Sequence, residues 1–172
     1  MIPTLATHLQ RLIAYHGWAY DRLLGELAGL TEEQYRAPCG LFFGSIHGSL
    51  NHLAVVDRIW LARVCGEPCT YTRLDDEAVS ERAGFDAFFA IGVAAWHERL
   101  DGLDEAELLA PIDYRNMAGE AHTRTLLDIV THLVNHGTHH RGQISAALTA
   151  LGRVDERLAR VVELRYFAGL SE

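Results

Sequence analysis

Apolar residues recur along this chain at intervals of three and four, the spacing of one face of an α-helix, while the alternation that marks half-buried strands is weak. A first helix is expected over about Thr4–Leu27, with Leu5, Leu9, Leu12, Ile13, Leu23, Leu24 and Leu27 on or near one face and Gly17 as a mild interruption. Thr31 and Gln34 stand at capping-box spacing, and Pro38 ends the short turn of helix that they begin. A second long helix starts at Ser45 and stops near Cys65, because Gly66 and Pro68 cannot comfortably continue it. The polar, acidic stretch from Cys69 to Gly84 suits a connecting loop, and a third helix follows over about Phe85–Leu103. "PIDYRNMAGEAHTRT" holds Pro111, Asn116 and Gly119 and reads as a loop or a short hairpin. The fourth long helix runs from about Thr125 to Leu151, with Gly152 as its stop, and "VDERLARVVELRYFAGL" is a last amphipathic stretch expected to pack on the outside. Four long amphipathic helices with one extended crossover predict an all-α four-helix bundle, whose core is the usual place to build a metal or cofactor site.

Length and charge narrow the picture. The 172 residues suit one domain over 1–172, long enough to bury a core without disulfides. At 49% hydrophobic and 22% charged, the composition excludes a disordered or fibrous chain. A formal charge of −8 would repel a phosphate backbone, so nucleic acid is not an expected partner. No apolar run approaches a bilayer span and no leader pattern opens the chain, so a cytoplasmic protein without a membrane partner is expected. Cys39, Cys65 and Cys69 lack zinc-ribbon spacing and read as reduced, incidental thiols.

Candidate chemistry concentrates in "THLVNHGTHHRGQ", which carries His132, His136, His139 and His140. With His132 set at zero, a turn of about 100° per residue points His136 to about 40°, His140 to about 80°, His139 to about −20° and Gln143 to about 20°. The apolar arc marked by Leu126, Ile129, Val130, Leu133, Ile144 and Leu148 spans about 60° to 160° on the same count. His136 and His140 therefore border the core face, whereas His132 and His139 lean to its polar edge. Imidazoles four residues apart can converge on one ion, which favours His136 with His140; His132 with His136 has the same spacing and stays open. A third ligand is expected from another helix, and His52, beside Val56 and Ile59, is better directed than His47, which points away from the apolar arc. Three histidines would leave a coordination position free for water, a thiolate or a carbonyl oxygen.

"GSIHGSLNHLAVVDRIWLARVCG" followed by "LVNHGTHHRGQISAAL" resembles the DinB/YfiT-like metalloenzyme family, in particular its DinB branch, and the similarity runs over most of the chain. The resemblance implies a four-helix bundle, often a homodimer, in which His52, His136 and His140 hold one divalent ion, zinc or nickel. It also implies a small-molecule substrate. A low-molecular-weight-thiol S-transferase in stress or detoxification is the leading expectation; a metal-dependent hydrolase and a non-enzymatic metal-binding stress-response dimer are the alternatives. The chain departs from the family pattern at His16 and Tyr20, where asparagines are frequent, and in its C-terminal segment.

Other residues have provisional places. His132 and Asn135 are candidates to orient ligands from behind, and His132 to act as a general base. Arg141 could bind a substrate carboxylate, but an ion pair with an acid such as Asp57 is favoured. Gly142 in mid-helix suggests a close helix approach. His8, His97 and His122 read as surface residues, and Trp18, Trp60 and Trp96 as core.

Overall fold

A computed structural model describes residues 4–151. Among them are helices α1 (Leu5–Leu27), α2 (Glu32–Arg36), α3 (Ile46–Cys65), α4 (Gly84–Leu100), α5 (Glu105–Leu109) and α6 (Leu126–Ala150), with strands β1 (Pro111–Arg115) and β2 (Ala121–Thr125) ahead of α6. Capping chemistry sets several boundaries: the side chains of Thr4, Ser45 and Thr125 accept from backbone N–H groups in the first turns of α1, α3 and α6. Thr31 with Gln34 completes the expected capping box, and Gly66 closes α3 in the left-handed conformation, φ 68°. The third long helix is shorter than its sequence pattern predicts: Leu100 ends it, Gly102 turns the chain at φ 70°, and an unforeseen capping box of Asp104 and Glu107 opens α5. The segment before α6 is the hairpin alternative, an antiparallel pair in which Tyr114 faces His122. The C-terminal amphipathic stretch and Gly152 lie outside the described residues.

The four long helices form the bundle, α1 packing against α4 and α6, and α3 against the same two. Their apolar faces bury two clusters rather than one continuous core. Tyr20, Leu27, Leu50, Phe85, Phe89 and Ile144 belong to the first, and Leu9, Ile13, Trp60, Trp96, Ile129 and Leu133 to the second. Between them lies a polar layer made by His16 of α1, Asp57 of α3 and Arg141 of α6, which are 0%, 2% and 5% exposed. Arg141 Nη1 donates to His16 Nδ1 at 3.2 Å, so the His16 proton sits on Nε2, which faces Asp57 Oδ2 at 3.4 Å. That last contact is electrostatic, being long for a hydrogen bond. Trp96 of α4 donates to the other carboxylate oxygen at 3.2 Å. The expected Arg141–Asp57 pair is thus not direct: His16 stands between the two charges. Burial holds the His16 pKa below its usual value against the pull of Asp57.

Glycines give this layer its room. A Cβ on Gly137 would lie 2.7 Å from both His16 Cε1 and Arg141 Nη1, and one on Gly92 would lie 3.0 Å from Asp57 Oδ1. Gly142, the expected site of close approach, is exposed with nothing near its Cβ position. Gly17 does not break α1; it admits Val93 of α4, whose nearest methyl would be 3.1 Å from an added Cβ. His97 is half-buried and hydrogen-bonded to Gln10 rather than free on the surface, and Trp18 is only half-buried.

The two glycines of α6 should respond oppositely to alanine. Gly137→Ala drives a methyl into a buried imidazole that cannot move aside and should cost about 1–3 kcal/mol. Gly142→Ala removes only the helix penalty of an exposed glycine and should gain up to about 1 kcal/mol. Urea denaturation of the two variants measures both; equal effects would place the close approach elsewhere.

Candidate metal centre

His52 lies in the second turn of α3, behind the Ser45 cap, and His136 and His140 lie one turn apart on α6. The packing of α3 on α6 brings the three together, so that one ring nitrogen from each falls within 4.8 Å of the others. Ring centroids are 5.0 Å apart for His52 and His136, 4.6 Å for His52 and His140, and 4.5 Å for His136 and His140. His52 and His140 are buried and His136 is half-buried.

Hydrogen bonds decide which nitrogens are available. His52 Nδ1–H donates to the Leu74 carbonyl at 2.9 Å, and His140 Nδ1–H donates to Gln143 Oε1 at 2.8 Å. Each bond fixes a tautomer whose Nε2 carries a lone pair, the arrangement that metal-ligating histidines commonly show. His52 Nε2 lies 3.1 Å from His136 Nε2. Two imidazole ligands on a tetrahedral zinc at about 2.0–2.1 Å would have nitrogens separated by roughly 3.3 Å, close to that distance. The donor set therefore fits a divalent ion.

Electrostatics favour the same state. Burial, and then the neighbouring imidazoles, lower His136 to about 3; burial, and more weakly His140, lower His52 to about 4 against the Leu74 hydrogen bond. His140 is lowered by burial against its bond to Gln143. All three are held neutral, which ligation requires. Phe43 stacks on His52 at 3.8 Å with the planes 17° apart and meets His140 edge-on at 5.8 Å, so an aromatic wall limits the rotation of both rings. Phe42, Phe43, Leu74 and Asp75 line an adjoining cavity of about 410 Å³.

The remaining histidines separate from this group. His139 is exposed. His132 is exposed too, its ring 5.8 Å from His136 and 5.4 Å from Trp60, within reach of the site's margin but outside the three-nitrogen cluster. Asn135 sits at an exposed position of α6. His47 is buried rather than turned away from the interior, but in another network, bonded to Glu77 Oε1 at 2.7 Å and facing the Tyr35 hydroxyl at 3.3 Å. His122 is half-buried and stacked on Tyr114, and His8 is exposed as expected. His16 and Tyr20 belong to the buried layer and its flank, Tyr20 stacking on Phe89 at 3.7 Å. Sequence reasoning missed Phe43 and Leu74. "LFFG" carried a detectable aromatic signal, whereas a backbone carbonyl leaves no trace in residue identity.

Comparison with known proteins agrees with this architecture. The family model described as "DinB family" matches residues 5–163. Protein DinB of Bacillus subtilis (strain 168) is 26% identical over 151 residues, covering 83% of this chain and 85% of that protein. The match spans all four long helices and the three clustered histidines, and this chain belongs to the DinB family.

Proposed function

We propose that the protein binds one divalent ion, zinc or nickel, through His52, His136 and His140, and uses it to transfer a low-molecular-weight thiol to a small electrophile in a stress or detoxification setting. The observation that carries this reading is the pair of locked tautomers: His52 and His140 both spend Nδ1–H on protein oxygens, which leaves an Nε2 lone pair on each in a cluster with His136. A bound ion of this kind would supply a Lewis acid that favours thiolate over thiol. The chain's own residues do the rest. Leu74 and Gln143 hold the rings against rotation, Phe43 shields them from bulk water, and the cavity beside them admits a small molecule.

In the transfer, the thiolate sulfur forms a bond to an electrophilic carbon while the leaving group departs with that carbon's bonding pair. The thiol proton passes to solvent or to His132 at the margin of the site. The homodimer and the cytoplasmic location that the resemblance implies belong to this proposal. No helix of the described residues is long and apolar enough to cross a membrane.

Purified wild type should carry about one zinc or nickel per chain, and EDTA should lower its melting temperature by several degrees, since a ligand bound only by the folded state stabilises it. His136→Ala should lose the metal, the EDTA response and any thiol conjugation measured on a panel of electrophiles. Wild type that holds no metal and melts alike with and without EDTA contradicts the proposal.

Acid should act on the metal-free protein in a defined window. Unfolded histidine protonates near pH 6.5, whereas His52 and His136 in the fold resist protonation until about 4 and about 3. The unfolded chain therefore binds more protons across this interval, and stability present above about pH 6.5 falls as pH drops toward 4. Urea titrations from pH 7 to 4 should show this slope, flattened in the double variant His52→Gln, His136→Gln. An unchanged slope in that variant would mean that these rings are not held neutral.

A further inference from the structure

Beyond the histidine cluster, a line of aromatic contacts leads along α3 and α6 toward the hairpin. His136 meets His132 at 5.8 Å, His132 meets Trp60 at 5.4 Å, and Trp60 meets Tyr114 of β1 at 5.1 Å with the rings crossed at 70°. Arg63 lies in the corner of the last pair, its Cζ 4.7 Å from the Trp60 ring and 4.9 Å from the Tyr114 ring. Among the described residues no carboxylate pairs with this guanidinium. The groups acting on its charge are the Tyr114 phenol and the Cys69 thiol. Burial pulls its pKa below the usual guanidinium value, as expected of a cation that has lost water.

A half-buried arginine in this condition is unusual for a chain with 23 acidic residues to 15 basic ones. Buried and half-buried guanidinium groups are ordinarily paired. Several other arginines find acceptors: Arg36 pairs with Glu32, Arg73 with Asp75, Arg58 with the Phe88 carbonyl and Arg82 with the Leu30 carbonyl. Arg63 instead has its carbon framework and one face occupied by two rings, which leaves the in-plane N–H edge as its means of recognition. Arg124 lies close enough to His132 to disfavour its protonation, so a second cation contributes to the local field. An open cavity of about 540 Å³ on the same hairpin is lined by Tyr114 and His122, with Asp113 and Arg115 also on its wall.

We infer that Trp60, Arg63 and Tyr114 form a carboxylate-binding shelf, which holds the acid group of a small-molecule substrate while its reacting end extends along His132 to the three histidines. The inference rests on the proposed function for what happens at that reacting end, but the shelf itself does not depend on a metal. A carboxylate fits better than a phosphate group: its single charge and planar pair of oxygens match one guanidinium fork. The three successive ring contacts set the scale of the ligand. An extended tripeptide, about 10–11 Å long, covers the two steps from Trp60 through His132 to His136, whereas a single amino acid does not.

S-methylglutathione and its diethyl ester test this, since they differ in their carboxylates and neither has a free thiol. In a 1H–15N NMR titration of the full chain, the acid should shift the Arg63 Nε–H and Trp60 indole signals saturably, and the ester should bind at least about tenfold more weakly. Arg63→Gln should abolish that preference while zinc content and the remaining spectrum stay unchanged, and Arg63→Lys, which keeps charge but not the fork, should restore only part of it. The preference should persist in chelator-treated protein. Equal binding of acid and ester to wild type, or an undiminished preference in Arg63→Gln, overturns the shelf. Free glutathione should gain affinity over S-methylglutathione only when zinc is present; absence of that gain, with the acid preference intact, counts against thiol binding at the histidines and leaves the shelf standing.

Discussion

The fold is organised around a buried negative charge. Asp57 sits in the middle of the bundle, and a carboxylate there is tolerable only if it is paired and hydrogen-bonded. Its partners come from three other helices: His16 on α1, Trp96 on α4 and, through His16, Arg141 on α6. An apolar core can slide or rotate by small amounts at little cost, but a layer of this kind has one register in which its charges are satisfied. The layer also fixes the direction of α6. Arg141 and His140 are adjacent, so they point about 100° apart around the helix. With Arg141 held on α1 by His16, His140 and His136 turn toward α3, where His52 meets them.

A second constraint comes from the crossover between α3 and α4. Asn51 clamps it by donating to the Val79 carbonyl and accepting from the Val79 N–H, at 3.0 and 2.8 Å. His47 bonds to Glu77, and Arg36 donates to the Ser80 carbonyl at 2.5 Å. Arg82 reaches back to the Leu30 carbonyl in the turn after α1. These contacts seat the loop along α3 so that the Leu74 carbonyl arrives at His52 Nδ1. The segment looks like an ordinary polar connector, yet it supplies the atom that sets the tautomer of one candidate ligand. The site therefore depends on two independent devices, one for helix rotation and one for ring orientation.

How much of this was legible in the sequence follows from how far each interaction reaches. The starts of α1, α3 and α6 were readable because a cap lies within a few residues of the turn it closes, as with Thr4, Ser45 and Thr125. Helical angle favoured His136 with His140 and left His132 with His136 open, His52 was favoured by its place on the flank of an apolar arc, and the resemblance pointed to the set of three. Long-range polar partnerships were less accessible. Asp57 and Arg141 could be suspected of pairing, but nothing local identified His16, 41 residues before Asp57, as the group between them. The same limit explains the glycines: Gly137 and Gly142 look alike in a helical sequence, and only the neighbour across the interface distinguishes a tight contact from an exposed surface.

Together, the polar layer and the crossover bring three neutral imidazoles together, with the Nδ1–H of His52 and of His140 engaged by protein oxygens. Such a cluster could hold an ion without rearrangement of its rings, and its lowered pKa values follow from the same burial. The most direct test is X-ray absorption at the metal edge of protein purified without added chelator. Three imidazole nitrogens at about 2.0–2.1 Å, with the remaining coordination supplied by oxygen or sulfur from solvent or substrate, is the result expected. An ion surrounded only by oxygen, or a spectrum unchanged when His52 is replaced by glutamine, would contradict the account.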